Sequence, residues 1–174
     1  YLIYRAKNDP ERVVKEASYP VIALLNTKEG NDYLISQITD KKAADTVKTR
    51  VAAALLAENK AGTQEVIALA KETLSDDRRK QLRYALGKEF AKYSRNEFAG
   101  ICGDYIASKD TSTSGTGLDI YAKGRYASVT AAVQSLADQY DPTAKTRNGI
   151  AQKACRILGI SDEEAEKKAA AKKK

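Results

Sequence analysis

Side chains able to do chemistry are few in this chain and are poorly spaced for it. There is no histidine, which removes the commonest general base and the commonest metal ligand together. Carboxylates occur in adjacent pairs, Asp76 with Asp77 and Glu163 with Glu164, but both pairs stand where a helix is expected to begin. Acids there suit the helix dipole without any acid-base role. Glu89 and Lys92 have the spacing of an ion pair along a helix. The segment DTSTSGTG, Asp110 to Gly117, has the glycines and hydroxyls of a phosphate cradle, yet it lacks the lysine that follows the second glycine of a P-loop, and no strand precedes it. Its small polar residues read as a loop. Tyrosines number ten against two phenylalanines, so many aromatic positions carry a polar tip and suit core edges and interfaces. No catalytic constellation, cofactor site or metal site assembles, and a non-enzymatic protein is expected.

The two cysteines, Cys102 and Cys155, fall on separate predicted helices and are too few for a zinc site. Both lie at the edge of apolar stripes. They read either as a pair of buried free thiols or as one disulfide stapling the helices in an oxidising compartment. Absence of methionine at position 1 reads as a processed or trimmed chain, and no apolar run approaches the roughly 20 residues of a membrane span.

Thirty basic residues against twenty-three acidic ones leave a net charge of +7, with both signs interspersed. Such a surface is solvated with a basic bias and suits docking on acidic partners. The candidate docking residues are Arg78, Arg79, Arg83, Lys88, Lys92 and Arg95 on one predicted helix, with Lys167, Lys168 and Lys172 at the C-terminus. A basic helix plus a lysine tail also makes nucleic acid the main rival partner. Against that, the cations run all round the helix and are mixed with Glu89 and Glu97.

These residues must be positioned by helices. Ser75 to Lys109 is a long segment without proline that reads as helix, with Ser75 as cap and Leu82, Leu86, Phe90 and Tyr93 in one apolar stripe. Phe98, Ile101, Cys102 and Tyr105 lie on a rotated face, so the helix either bends near Gly100 and Gly103 or meets different neighbours. Before it, Asp40 caps a helix bearing Ala44, Val47, Val51, Ala54 and Leu55, and Gly62 either ends that helix or marks its weak point. Residues 41–74 and 76–108 could then form a long antiparallel hairpin. YLIYRAKND reads as an extended arm, Asp9-Pro10-Glu11 as a helix start interrupted at Pro20, VIALL as helix or buried strand, and Gly30-Asn31-Asp32 as a turn. Leu118 to Tyr140 is amphipathic, with Arg125 interrupting the stripe either as a snorkelling edge residue or as a buried functional one. Ile150, Ala151, Ala154, Ile157 and Leu158 form one more face, closed by Gly159. Ser161 and Glu164 make a capping box for a last helix with almost no apolar face. The expected divisions are an N-terminal arm with a short helix (1–40), a helical body (41–159) and a charged C-terminal helix or tail (160–174).

DYIASK, the glycine-bearing loop, YASVTAAVQSLADQY and the proline-marked turn before a basic helix resemble the small helical extrinsic proteins of the oxygen-evolving photosystem. From about Gly103 to Leu158 the order of elements resembles the Psb twenty-seven type of lumenal assembly factor. The greater length and detached C-terminal helix are more similar to PsbQ-like extrinsic subunits, including the diatom and red-lineage forms. The resemblance covers about a third of the chain and implies an all-α, up-down-up-down four-helix bundle. It further implies docking on photosystem II subunits in the chloroplast thylakoid lumen, peripheral to the membrane, with retention of calcium and chloride but no ligation of either. The alternative is a basic helical nucleic-acid-binding or adaptor protein.

Overall fold

The computed structural model describes residues 1–172. Among them the regular structure is entirely helical, with eleven α-helices rather than the four of the expected bundle. The chain divides into two compact units, Tyr1–Phe90 and Ala91 onward.

The first unit holds α1 (Leu2–Asn8), α2 (Arg12–Leu25), α3 (Lys28–Thr39), α4 (Asp45–Glu58), α5 (Thr63–Leu74) and α6 (Lys80–Phe90). α2 packs on α4 and α4 on α6, while α3 packs on α5, so alternate helices lie side by side in two layers. Connections of a few residues allow little else, because a short loop returns the chain antiparallel against its predecessor. Between the layers the fully buried residues include Leu34, Val51, Leu55, Leu56, Val66 and Leu86.

The N-terminal segment read as an arm is therefore three helices. Leu2–Asn8 is helical and buries Ala6 against α2. Pro20 lies inside α2 with its ring exposed, so its cost is confined to one lost backbone bond and VIALL continues the helix. Gly30 sits in the first turn of α3 rather than in a turn of its own, and Thr27 caps that helix by accepting from the Gly30 N–H at 3.1 Å. Residues 41–74 are two helices, separated where Gly62 takes a left-handed φ of 72°.

The second unit holds α7 (Ala99–Ile106), α8 (Thr111–Gly124), α9 (Thr130–Ala137), α10 (Gly149–Leu158) and α11 (Asp162–Lys172). α7 pairs with α8 and α9 with α10, and the pairs stack through α8 on α10 and α7 on α9. Single 3-10 turns lead into α6, α7 and α9, at Asp77–Arg79, Asn96–Phe98 and Ala127–Val129.

The long helix expected over 75–109 is two helices. It stops at Phe90 and restarts at Ala99, because Arg95 stacks on the Tyr93 and Phe98 rings, 4.6 and 5.8 Å from their centroids, and Phe98 is fully buried. The rotated apolar stripe is thus accommodated by a break at Ala91 to Arg95, not by a bend at the glycines. The amphipathic stretch 118–140 is divided as well. Arg125 ends α8 with a left-handed φ of 50° and donates to the Ile157 carbonyl at 2.7 Å, its guanidinium exposed.

The segment Asp110 to Gly117, read as a loop, is the cap and first half of α8. Asp110 accepts from the Thr113 N–H at 2.9 Å and from its hydroxyl at 2.6 Å. Thr113, Ser114, Gly115 and Gly117 are buried, and the Ser114 hydroxyl donates to the Ile106 carbonyl at 3.1 Å. The smallness of Ser114 and Gly117 serves close packing on α7 and that of Gly115 packing on Ile150 of α10, and tertiary packing overrides weak intrinsic propensity. Gly159 and the capping box are where the sequence places them. Gly159 has a φ of 74°, and Ser161 and Glu164 exchange bonds of 2.9 and 3.2 Å. α11 buries only Ala165, and Lys172 reaches the Asp138 carbonyl at 2.7 Å. Lys173 and Lys174 lie outside the described residues.

Candidate ligand cleft

In the first unit the C-terminal end of α3, the start of α4 and the outer face of α5 enclose a cleft of about 440 Å³. Its lining carries three cations, Lys41, Lys48 and Arg79, and three carboxylates, Asp45, Glu65 and Glu72, beside Ile38, Ala68 and Leu69. Arg79, from the 3-10 turn before α6, bridges the corner: it lies 2.8 Å from Asp45 and 3.8 Å from Glu72. The Asp45 hydrogen bond raises the guanidinium above its ordinary range, so Arg79 stays charged.

Lys48 is the unusual member. It is only 4% exposed, and its Nζ donates to the Ile38 carbonyl at 3.0 Å, in the last turn of α3 where orphan carbonyls favour a cation. Burial first, and then the Arg79 charge, pull its ammonium below the usual lysine range against the opposing pull of Asp45, Glu72 and Asp40. Lys48 is not among the candidate residues named from the sequence. The missed signal was position: Ala44, Lys48, Val51 and Leu55 recur at spacings of four, three and four, so this lysine lies on the apolar stripe.

The expected docking cations scatter rather than gather. Arg83 is 1% exposed and is a structural cap: its guanidinium donates to the Thr73 carbonyl at the end of α5 and reaches the Asp76 carbonyl at 3.3 Å. Arg78 is exposed and folds back on Asp76 at 2.9 Å, a pair that holds the carboxyl below its usual range. With Arg79 tied to Asp45 and Glu72 and Arg83 to the Thr73 carbonyl, these two arginines hold the corner between α5 and α6. Lys88 and Lys92 are exposed, and Arg95 is half-buried against its aromatic partners. Lys167, Lys168 and Lys172 are exposed on α11, where Lys168 lies 3.7 Å from Asp138.

Cys102 and Cys155 are buried free thiols. Their sulfurs turn to different carbonyls, Gly117 for Cys102 and Ala137 for Cys155, each at 3.4 Å, so the staple allowed by the sequence is not formed. Burial pushes the Cys102 thiol up to about 12 and raises that of Cys155. A thiolate reagent at pH 8 is therefore expected to leave both untouched in the folded chain. Unfolding without reductant should release two alkylation sites, counted by mass; a chain that takes none until reduced would carry the disulfide.

Among the described residues no helix is long and apolar enough to cross a membrane, and no cluster of three or more metal-ligating side chains is placed to hold an ion. No curated protein and no solved structure matches the chain significantly. The family model described as spirochaete HEAT repeat protein does match, over residues 1–157. HEAT repeats are helix pairs stacked side by side. That is how alternate helices pack within each unit here, although the starts of α2, α4 and α6 at residues 12, 45 and 80 are closer than the roughly 40–47 residues of ordinary HEAT repeats. This match overturns the likeness to photosystem II extrinsic proteins, which rested on short apolar periodicity common to many helix pairs. With it fall the photosystem partners, the retention of calcium and chloride, and the thylakoid location. The match extends over nine-tenths of the sequence, and the chain belongs to the spirochaete HEAT repeat protein family.

Proposed function

We propose that the chain is a non-enzymatic helical-repeat adaptor that takes an amphipathic, acid-flanked helix of a partner protein on the outer face of α2. The observation that carries this reading is an unpartnered apolar row on that helix. Val13 is 75% exposed, Val21 42% and Leu24 65%, with exposed Ala17 between them and exposed Leu25 beside them. Residues 13, 17, 21 and 24 recur at spacings of four, four and three, the pattern by which one helix seats another. Contiguous apolar surface of this kind marks interaction sites. Its rim is mainly basic: exposed Arg12 and Arg50 flank a mostly covered Glu16, at 2.6 and 3.7 Å. A helix with acidic residues beside its apolar stripe complements that rim.

The nucleic-acid alternative is disfavoured because Arg79 and Arg83, two of the cations that suggested it, hold a helix corner, while Arg78 folds back on Asp76. Phosphate binding needs cations free to release counter-ions. A synthetic amphipathic helix with leucine at the seam and glutamate on the flanks is the direct probe. Saturable binding is expected for the native chain, with a loss of at least about tenfold for Val21→Glu/Leu24→Glu, which removes two exposed anchors worth more than 1.4 kcal/mol together. Both positions are exposed, so the double variant should melt as the native chain does. Absence of peptide binding together with steeply salt-dependent retention on DNA would reject the adaptor reading in favour of a nucleic-acid binder.

A further inference from the structure

We infer that the cleft between α3, α4 and α5 is a binding site for a free α-amino acid with an apolar side chain, its carboxylate on Lys48 and its ammonium on Glu65. The inference starts from the two charges of the lining that are at least half covered and lack an ion pair, the third unpaired one, Lys41, being solvent-exposed. Lys48 is nine-tenths buried, yet its single hydrogen bond, to Ile38, uses one of three ammonium hydrogens, and among the described residues it forms no ion pair. A buried charge without a counter-ion is costly unless something supplies one. The nearby carboxylates supply it only in part: Asp45 is committed to Arg79 at 2.8 Å, Glu72 leans on the same guanidinium, and Asp40 accepts from the Lys42 N–H.

Glu65, in the first turn of α5 and half-buried, lines the same cleft, and among the described residues it makes no hydrogen bond or ion pair. Lys48 and Glu65 are carried by different helices and do not pair with each other. A ligand holding a carboxylate and an ammonium on one carbon satisfies both, which a simple anion or a simple amine would not. Ile38, Ala68 and Leu69 on the same lining suit an apolar side chain, and a volume of about 440 Å³ is in the small-ligand range.

The test is an NMR titration of the full chain with three probes: L-leucine, isocaproate, which lacks its ammonium, and isopentylamine, which lacks its carboxylate. Leucine is expected to saturate, with shifts at the ends of α3 and α4, and each single-charge probe should bind at least about tenfold more weakly, one charge-assisted bond being lost in each. Lys48→Met should abolish the preference of leucine over isopentylamine, and Glu65→Gln that over isocaproate. Glu65→Gln keeps shape at a half-buried position, so it decides the matter even if Lys48→Met fails to fold. No saturable response to leucine, equal binding of the three probes, or leucine affinity unchanged in Glu65→Gln would each overturn the assignment.

Discussion

Gly117→Ala is expected to destabilise the second unit by about 3 kcal/mol, at the upper end of the cost of overpacking a well-filled interior. A Cβ at this position would lie 2.6 Å from the Ile106 backbone nitrogen and 3.0 Å from the Tyr105 carbonyl carbon. The obstacle is main chain, so no rotamer change can relieve it, and α8 must move away from α7. That movement would strain the Ser114 bond to Ile106 and open the packing around Cys102 and Tyr105, both fully buried. Thermal unfolding by circular dichroism reads the effect. For a unit of this size a loss of 1 kcal/mol lowers the midpoint by about 4–8 °C, so a fall of more than 10 °C is expected. Gly100→Ala supplies the contrast. Gly100 is exposed on α7 with nothing within 4 Å of an added Cβ, and there the same substitution should stabilise by about 0.5 kcal/mol through lower unfolded-chain entropy. Opposite signs from one chemical change in paired helices follow only if α7 and α8 meet at Gly117; similar melting of the two variants would refute that close approach.

Arg83→Met should cost about 2 kcal/mol in the first unit. The thioether keeps most of the buried stem volume, so the loss reports the head group. Removing the guanidinium takes both charged donor bonds from the buried Thr73 carbonyl and leaves it the long 3.3 Å bond from the Asp76 N–H, and bonds to a charged partner contribute roughly 1.5–3 kcal/mol. The cation also sits at the C-terminal end of α5, where the helix dipole favours it. Arg78→Met is the matched control: its ion pair with Asp76 is solvent-exposed, with the Arg78 side chain 90% accessible, and such pairs contribute little. A midpoint lowered by Arg83→Met and nearly unmoved by Arg78→Met is the expected result. If neither variant shifts, Arg83 is not the cap of α5.

Arg83, by its bonds to the Thr73 carbonyl, and Arg79, by its ion pair with Asp45, belong to the architecture, although their sequence pattern reads as a docking face. Helical wheels carry no information on which side of a helix end the next helix will lie, and Arg83 falls one position from Leu82 on the inward side of α6. Its burial depends on α5 ending where it does, at Leu74. Lys48 is a parallel case, since its depth and its lack of a counter-ion arise only when α3 ends against α4.

Several features were determined by the sequence alone. Alanine-rich runs and the helical period of apolar residues dictate a helical chain, with VIALL alone also compatible with a strand. Gly159 takes the left-handed form because it relieves backbone strain within one turn. The capping box at Ser161 and Glu164 is equally local. The number of helices and the partner of each were decided by tertiary structure. DTSTSGTG has the composition of a loop, and it is helical because small residues alone let α8 lie against the backbone of α7. The break after Phe90 and the one at Arg125 are likewise invisible to periodicity, since each arises where buried aromatic residues, Phe98 and Tyr126, must enter a core that exists only once the helices have paired.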